Sequence, residues 1–184
     1  LRRNSAEKGT DFVWLHFALT NTASEKWLRE SLTLPEEFLE SLHEGSRSTR
    51  IEYAEGRLVA VVNDALYDFS FAASGIAAMW LCVDRHAVSS ARVKPLRSGD
   101  HRRASVNGGE RLESSVELLI HLFHDQCDVL VQIVRKAIAK VDAIEDSLLA
   151  GRLEIGRVDL GALRRVLVRL RRLLAPEPAA LFRL

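Results

Sequence analysis

The sequence predicts an α+β fold, layered as α/β/α, in which short helices flank a mixed sheet of about five to seven strands and long stalk helices follow. In the first half, short runs of aromatic and β-branched residues alternate with turn residues, which is typical of strands. Beyond residue 110, apolar residues recur at spacings of three and four, which is typical of long helices packed along one seam. The change of period divides the chain into a predicted α/β domain over 1–110 and a stalk over 111–184.

The first elements of the predicted sheet domain are a strand and two short helices. The run FVWLHFAL at 12–19 has the composition of a buried strand. Ser24 is suited to cap a helix over 25–31, because a serine side chain accepts a hydrogen bond from a free N–H of the first turn. Pro35 is suited to open a second helix that ends near residue 43.

Two hairpins are predicted to complete the sheet. Glu55 and Gly56 form a tight turn between strands at 48–53 and 57–63. A second pair of strands is predicted at 76–83 and 87–93. The stretch 66–75 fits either a strand or a loop, and the polar stretch 94–110 fits either a loop or a weak short helix.

The stalk is predicted to contain two helices, each with an apolar seam. The first seam consists of Ile120, Phe123, Cys127, Leu130, Val134, Ala137, Val141, Ile144 and Leu148. The second consists of Leu160, Leu163, Leu167, Leu170 and Leu174. Such seams fit packing of the two helices on each other, and they also fit contacts between subunits. Both cysteines, Cys82 and Cys127, lie in apolar surroundings and are predicted to be buried free thiols of a reducing compartment.

Charge and hydropathy limit the possible partners. The formal net charge of +1 gives no overall attraction to nucleic acid, and no run of apolar residues is long enough to cross a bilayer. Residues 151–184 carry eight arginines and three acidic residues, a local excess of five positive charges. This basic segment fits an acidic partner or the approach to a membrane. Nucleic acid is disfavoured, because no aromatic residues interleave with the arginines.

The sequence predicts no catalytic residue and no required cofactor, since it contains none of the P-loop, GxGxxG, GxSxG and HExxH patterns. One candidate metal site lies on the first stalk helix, where His121, His124, Asp125 and Asp128 share one arc. Imidazole and carboxylate groups at helical spacing suit zinc. The same residues also fit a solvated polar face, or a subunit contact without metal.

Several strings, in a fixed order, carry a resemblance to a known family. They are FVWLHFAL at 12–19, SEKWLRE at 24–30, LPEEFLESLHEGSRSTRIEY at 34–53, VDRHAVSSAR at 83–92, IEDSLLAG at 144–151 and LRRVLVRLRRLLAPEPAALFRL at 163–184. Together they resemble the cytoplasmic domain of the CorA superfamily of divalent-cation transporters, and they are most similar to the zinc-transporting ZntB branch. The Gly-Met-Asn tripeptide that marks the pore of that family does not occur in this sequence.

The resemblance implies the cytoplasmic part of an inner-membrane transporter that moves zinc or another divalent cation. Its membrane segments would lie outside this sequence, and the full-length protein would be a pentamer. Zinc or magnesium would be the transported or regulatory ion, and the domain would serve assembly, an ion vestibule and gating without covalent chemistry. Two other classes stay open: a soluble coiled-coil scaffold or regulator, and a metal-dependent enzyme that uses the face of His121, His124 and Asp125.

Overall fold

A computed structural model describes residues 12–44, 49–66, 75–151 and 153–174. Within these ranges a five-stranded mixed sheet, flanked by helices, continues into a pair of long helices. The strands are β1 Val13–Ala18, β2 Arg50–Ala54, β3 Arg57–Ala65, β4 Ile76–Val83 and β5 Ala87–Arg92. The helices are α1 Thr22–Ser31, α2 Glu36–Glu44, α3 Arg97–Asn107, α4 Ser115–Leu149 and α5 Leu153–Leu174. This architecture confirms the predicted α+β class.

The strand order is β1-β5-β4-β3-β2. Strands β2 to β5 pair antiparallel, and β1 joins β5 in parallel. The β2–β3 turn has φ of 50° at Glu55 and 78° at Gly56. Two successive positive φ values match the right-handed twist of a tight hairpin, which explains the glycine. The turn therefore confirms the predicted hairpin.

The sheet is buried on both faces, so its strands supply two hydrophobic layers. On one face, Leu28 of α1 and Phe38 of α2 are fully buried against the strands. The indole N–H of Trp80 in β4 donates to the carbonyl of Ser41, 2.8 Å away, and this bond holds α2 in place. On the other face, Leu118 and Leu122 from the first turns of α4 pack against the sheet. The start of α4 therefore shares a hydrophobic core with the sheet.

α3 is a regular helix in a segment that the sequence left open between loop and helix. It runs over Arg97–Asn107, and its buried residues are Ser98, Gly99 and Arg102. A Cβ added at Gly99 would lie 3.3 Å from the sulfur of Met79. The glycine therefore allows α3 to pack closely against β4. This helix is thus held without a large apolar face of its own.

The face that α4 buries differs from the single predicted seam. The buried residues of α4 are Ser115, Leu118, Leu119, Leu122, Asp125, Gln126, Ile133, Ala137 and Ile144. Predicted seam members Ile120 and Val134 are 48% and 55% exposed, and Cys127 is exposed. The prediction of burial is therefore wrong for these three residues. The reason is that α4 contacts the sheet and α3 along its first half and α5 along its second half. A single heptad seam cannot face both sets of partners.

The second half of α4 confirms the packing of the two long helices on each other. Ala137 and Ile144 of α4 form one apolar cluster with Leu163 of α5. Ile133 forms another with Val166 and Leu170. None of the helices in the described ranges combines the length and hydropathy needed to cross a membrane.

The two thiols should react at very different rates. Cys82 is buried in β4, and burial raises the pKa of its thiol to about 11, whereas Cys127 is exposed. Because the thiolate is the reactive form, we expect an aromatic disulfide reagent to modify one thiol in the native protein and the second only in denaturant. Cys127→Ser should remove the fast reaction. A fast reaction that persists in this variant would contradict the burial of Cys82.

Candidate functional site

The junction of the sheet, α3 and α4 holds buried charged side chains, and the first of these is Asp64. Asp64 is the next-to-last residue of β3 and is only 2% exposed. Its Oδ2 accepts hydrogen bonds from the backbone N–H of Ser98 at 2.9 Å and from the Ser98 hydroxyl at 2.6 Å. Burial raises the pKa of the Asp64 carboxyl, and the hydrogen bonds from Ser98 oppose that rise. A carboxylate at this place satisfies the free N–H groups of the first turn of α3 and anchors it to β3.

Arg102 connects α3 to α4 through a double fork. Its Nε and Nη2 donate to the two oxygens of Asp125, both at 2.8 Å, and its Nη1 donates to both oxygens of Glu110 at 2.6 and 2.8 Å. Arg102 and Asp125 are only 6% and 9% exposed. Burial opposes the charge of Arg102, but the hydrogen bonds and charges of Asp125 and Glu110 outweigh it, so its pKa is raised. Arg102 therefore keeps its charge, and its bonds hold the two side chains in one geometry.

A second polar chain connects β1 to α3. Arg92 of β5 donates from Nε to Nε2 of His16 at 2.9 Å and from Nη2 to Asp100 at 2.8 Å. Nδ1 of His16 lies 2.8 Å from the hydroxyl oxygen of Ser90. Because Nε2 accepts from Arg92, the neutral ring carries its hydrogen on Nδ1 and donates it to Ser90. His16 is thus a partly buried residue of β1 whose two ring nitrogens both have hydrogen-bond partners.

His16 should make stability depend on pH in the acid range. Burial, with the nearby charge of Arg92, lowers its pKa to about 4. As the pH falls below about 6.5 the unfolded chain gains a proton that the folded chain does not, so stability is lost until about pH 4, by at most about 3 kcal/mol. Urea unfolding across this range should show a smaller loss in His16→Gln than in the unmodified protein. Equal losses in the two proteins would contradict this role.

The four residues that are predicted to bind metal differ in their contacts and in their exposure. Asp125 accepts both of its bonds from Arg102, and would have to release them to bind an ion. His121 lies 3.7 Å from Glu110 and 3.8 Å from Glu117. His124 and Asp128 are exposed. Across the described parts of the chain, no three His, Cys, Asp or Glu side chains converge as metal ligands. The metal set stays a prediction.

Two cavities adjoin these polar chains. One of about 210 Å³ lies between α3 and α4 and is lined partly by His101, Asp125 and Asp128. One of about 600 Å³ lies along β1, where Trp14, Trp27 and His16 line it with residues of α3. The sequence did not indicate Arg102 or Asp64, because their partners are distant along the chain: Arg102 and Asp125 are 23 residues apart.

The fold of this chain is similar to that of solved soluble and cytoplasmic domains. The soluble domain of CorA from Methanocaldococcus jannaschii is 14% identical, with a TM-score of 0.78 over 93% of this chain and 69% of that one. The ZntB cytoplasmic domain from Vibrio parahaemolyticus is also 14% identical, with a TM-score of 0.71 over 91% of this chain and 66% of that one. The full-length CmaX protein is 21% identical, with a TM-score of 0.75 over 94% of this chain and 53% of that one.

The family model for the CorA-like Mg2+ transporter protein matches residues 9–184, and the chain belongs to that family. No curated protein matches it. The chain spans little more than half the length of the full-length CmaX protein. The predicted family resemblance is thus confirmed, whereas equal identities to the CorA and ZntB domains leave the ZntB branch without separate support.

Proposed function

We propose that this chain is the cytoplasmic part of a membrane transporter that moves divalent cations, zinc first among them, across the inner membrane. The observation that carries the proposal is the family match over residues 9–184. The fold shared with the soluble domains of CorA and ZntB supports it. On this proposal the pore lies in membrane segments outside this sequence, and the domain performs no covalent chemistry.

The exposed faces of the long helices support a role in assembly. Ile120, Val134 and Ile138 of α4 are about half exposed, at 48%, 55% and 56%, and lie on one side of the helix. Apolar side chains in such a row are typical of an interaction surface. We propose that subunits of a homo-oligomer, a pentamer in the full-length protein, associate through the long helices. The exposed arginines of α5 would face the ion path or acidic groups of a neighbour; they are Arg164, Arg165, Arg169, Arg171 and Arg172.

Metal content of cells tests the transport proposal. The complete reading frame is expressed in a bacterial strain that lacks its own uptake system for magnesium, and cellular magnesium and zinc are measured by mass spectrometry. We expect expression to change the content of at least one of these ions relative to an empty vector. Expression in the membrane with both contents unchanged would contradict transport of either ion.

The proposal includes a regulatory zinc ion at His121, His124, Asp125 and Asp128. In a competition with a chromogenic chelator, His121→Ala and His124→Ala should each weaken zinc binding by about tenfold or more, because each removes one imidazole ligand. His86→Ala, in the exposed turn before β5, is the matched control and should bind as the unmodified chain does. Equal binding by all four proteins would exclude this set.

The two alternative functions, a soluble scaffold and a metal-dependent enzyme, predict a different association state and zinc affinity for this chain. A soluble scaffold predicts stable oligomers of the chain without metal, and a metal-dependent enzyme predicts tight zinc binding by a monomer. A transporter fragment predicts weak association, because the membrane segments that hold the oligomer together lie elsewhere. Sedimentation of the chain with and without zinc separates the three.

A further inference from the structure

The fully buried residues that attach α3 to the rest of the molecule are mostly polar, and Val106 near the end of the helix adds a partly buried apolar contact with the core. The residues that α3 buries are a serine, a glycine and an arginine, whereas α1 and α2 bury Leu28 and Phe38. Asp64 holds its first turn to β3, and Arg102 holds its middle to α4. An apolar face can slide in small steps, but a buried ion pair is either made or broken, since a buried charge without its partner is costly. The buried ion pair of α3 therefore favours a small number of distinct positions of this helix over a continuous range.

The two polar chains meet on this helix. Arg92 of β5 contacts His16 of β1 and Asp100 of α3, and two residues further along α3 Arg102 contacts Asp125 of α4. The chain of contacts thus runs from the edge strand to the long helix. Its first member, His16, also lines the cavity of about 600 Å³ along β1.

We propose that α3 is a coupling helix that transmits displacements of the sheet to α4, and that Arg102 is the positioning residue through which it acts. Its use in gating rests on the proposed transport function; the coupling itself does not. Because α4 belongs to the long helical pair, a change in the seat of α3 would tilt the part of the domain farthest from the sheet. On this proposal the contacts of Arg102 are either made or broken, and such an element can couple distant parts of a protein.

Amide hydrogen exchange of the chain tests the coupling at a distance. Arg92→Met removes the contact between β5 and α3, and we expect exchange in α3 and in the first turns of α4 to rise by about tenfold or more. Arg57→Met is the matched control, because Arg57 is an arginine of the same sheet with a carboxylate partner, Asp84, at 3.4 Å. In this control the exchange of α4 should not change.

Arg92→Met is then combined with a double substitution that removes the ion pair between α3 and α4. Arg102→Met with Asp125→Leu replaces the buried pair by apolar groups, an exchange that buried pairs often tolerate. In this background Arg92→Met should no longer alter exchange in α4. A rise in α4 in both backgrounds, or a rise spread evenly over the sheet and α5, would overturn the proposal, because it would show loss of stability without transmission.

The full-length protein separates this inference from the transport proposal. If exchange shows the coupling and the protein moves no cation, only the transport function fails. If the protein moves cations and exchange shows no coupling, only the role of α3 fails. Where both hold, the Arg102→Met, Asp125→Leu variant should change the dependence of flux on cytoplasmic metal while the oligomer stays intact.

Discussion

Replacing Arg102 with Met should lower the free energy of unfolding by about 3 to 5 kcal/mol, because it leaves Asp125 charged and buried without its partner. Asp125 is 9% exposed and receives both of its bonds from this guanidinium. Chemical denaturation monitored by circular dichroism measures the change. The loss should exceed that of a surface ion pair, because little water reaches the carboxylate to replace the bonds.

Two further variants make this prediction specific. Arg103→Met changes the neighbouring arginine, whose side chain is 48% exposed, and should alter stability by less than about 0.5 kcal/mol. Arg102→Met combined with Asp125→Leu should recover most of the loss. If the two single substitutions of arginine had equal effects, the buried fork would not be the source of the stability.

Replacing Ile133 with Ala should cost about 2 to 4 kcal/mol, through lost burial and the cavity that remains. Ile133 is 2% exposed and packs with Val166 and Leu170 of α5, whereas the adjacent Val134 is 55% exposed. Val134→Ala should therefore change stability by less than about 0.5 kcal/mol. Denaturation of the two variants side by side measures the difference. The single seam predicted from the sequence requires the opposite order, so a larger loss at Val134 would contradict the face that α4 buries here.

The elements that local patterns define could be predicted from the sequence. The strand at Ile76–Val83 has the predicted bounds, and the hairpin at Glu55 and Gly56 forms where its turn residues lie. Apolar runs and turn residues act over a few positions, so they identify such elements without knowledge of the rest of the fold. α1 begins at Thr22 with Asn21 as its cap, slightly earlier than the predicted cap at Ser24.

The elements that depend on distant partners could not be predicted. α3 is polar and follows Pro95, and its seat is fixed by Asp64 and Asp125, which no local spacing connects to it. The heptad pattern of α4 was real, but it could not show that the helix changes partners along its length. For the same reason Cys127 is exposed although it belongs to the predicted apolar seam. Of the candidate site, the position of His16 in the first strand could be predicted from the sequence, whereas the contacts of Arg102 could not.

Polar contacts of α3 connect the sheet to the first of the two long helices. The family is established by the match over residues 9–184, while the transported ion is inferred. The identities of 14% to the ZntB cytoplasmic domain and 15% to the CorA magnesium transporter are too similar to indicate which ion is carried. Selectivity is therefore the property that a direct measurement has to decide.

Ion flux into liposomes tests the central claim most directly. The protein from the complete reading frame is purified, reconstituted, and supplied with zinc or magnesium outside vesicles that contain a fluorescent indicator for each ion. We predict flux of a divalent cation that requires the protein, with zinc carried at least as fast as magnesium. No flux of either ion through correctly inserted protein would contradict the proposed transport function, and flux of magnesium alone would exclude zinc as the transported ion.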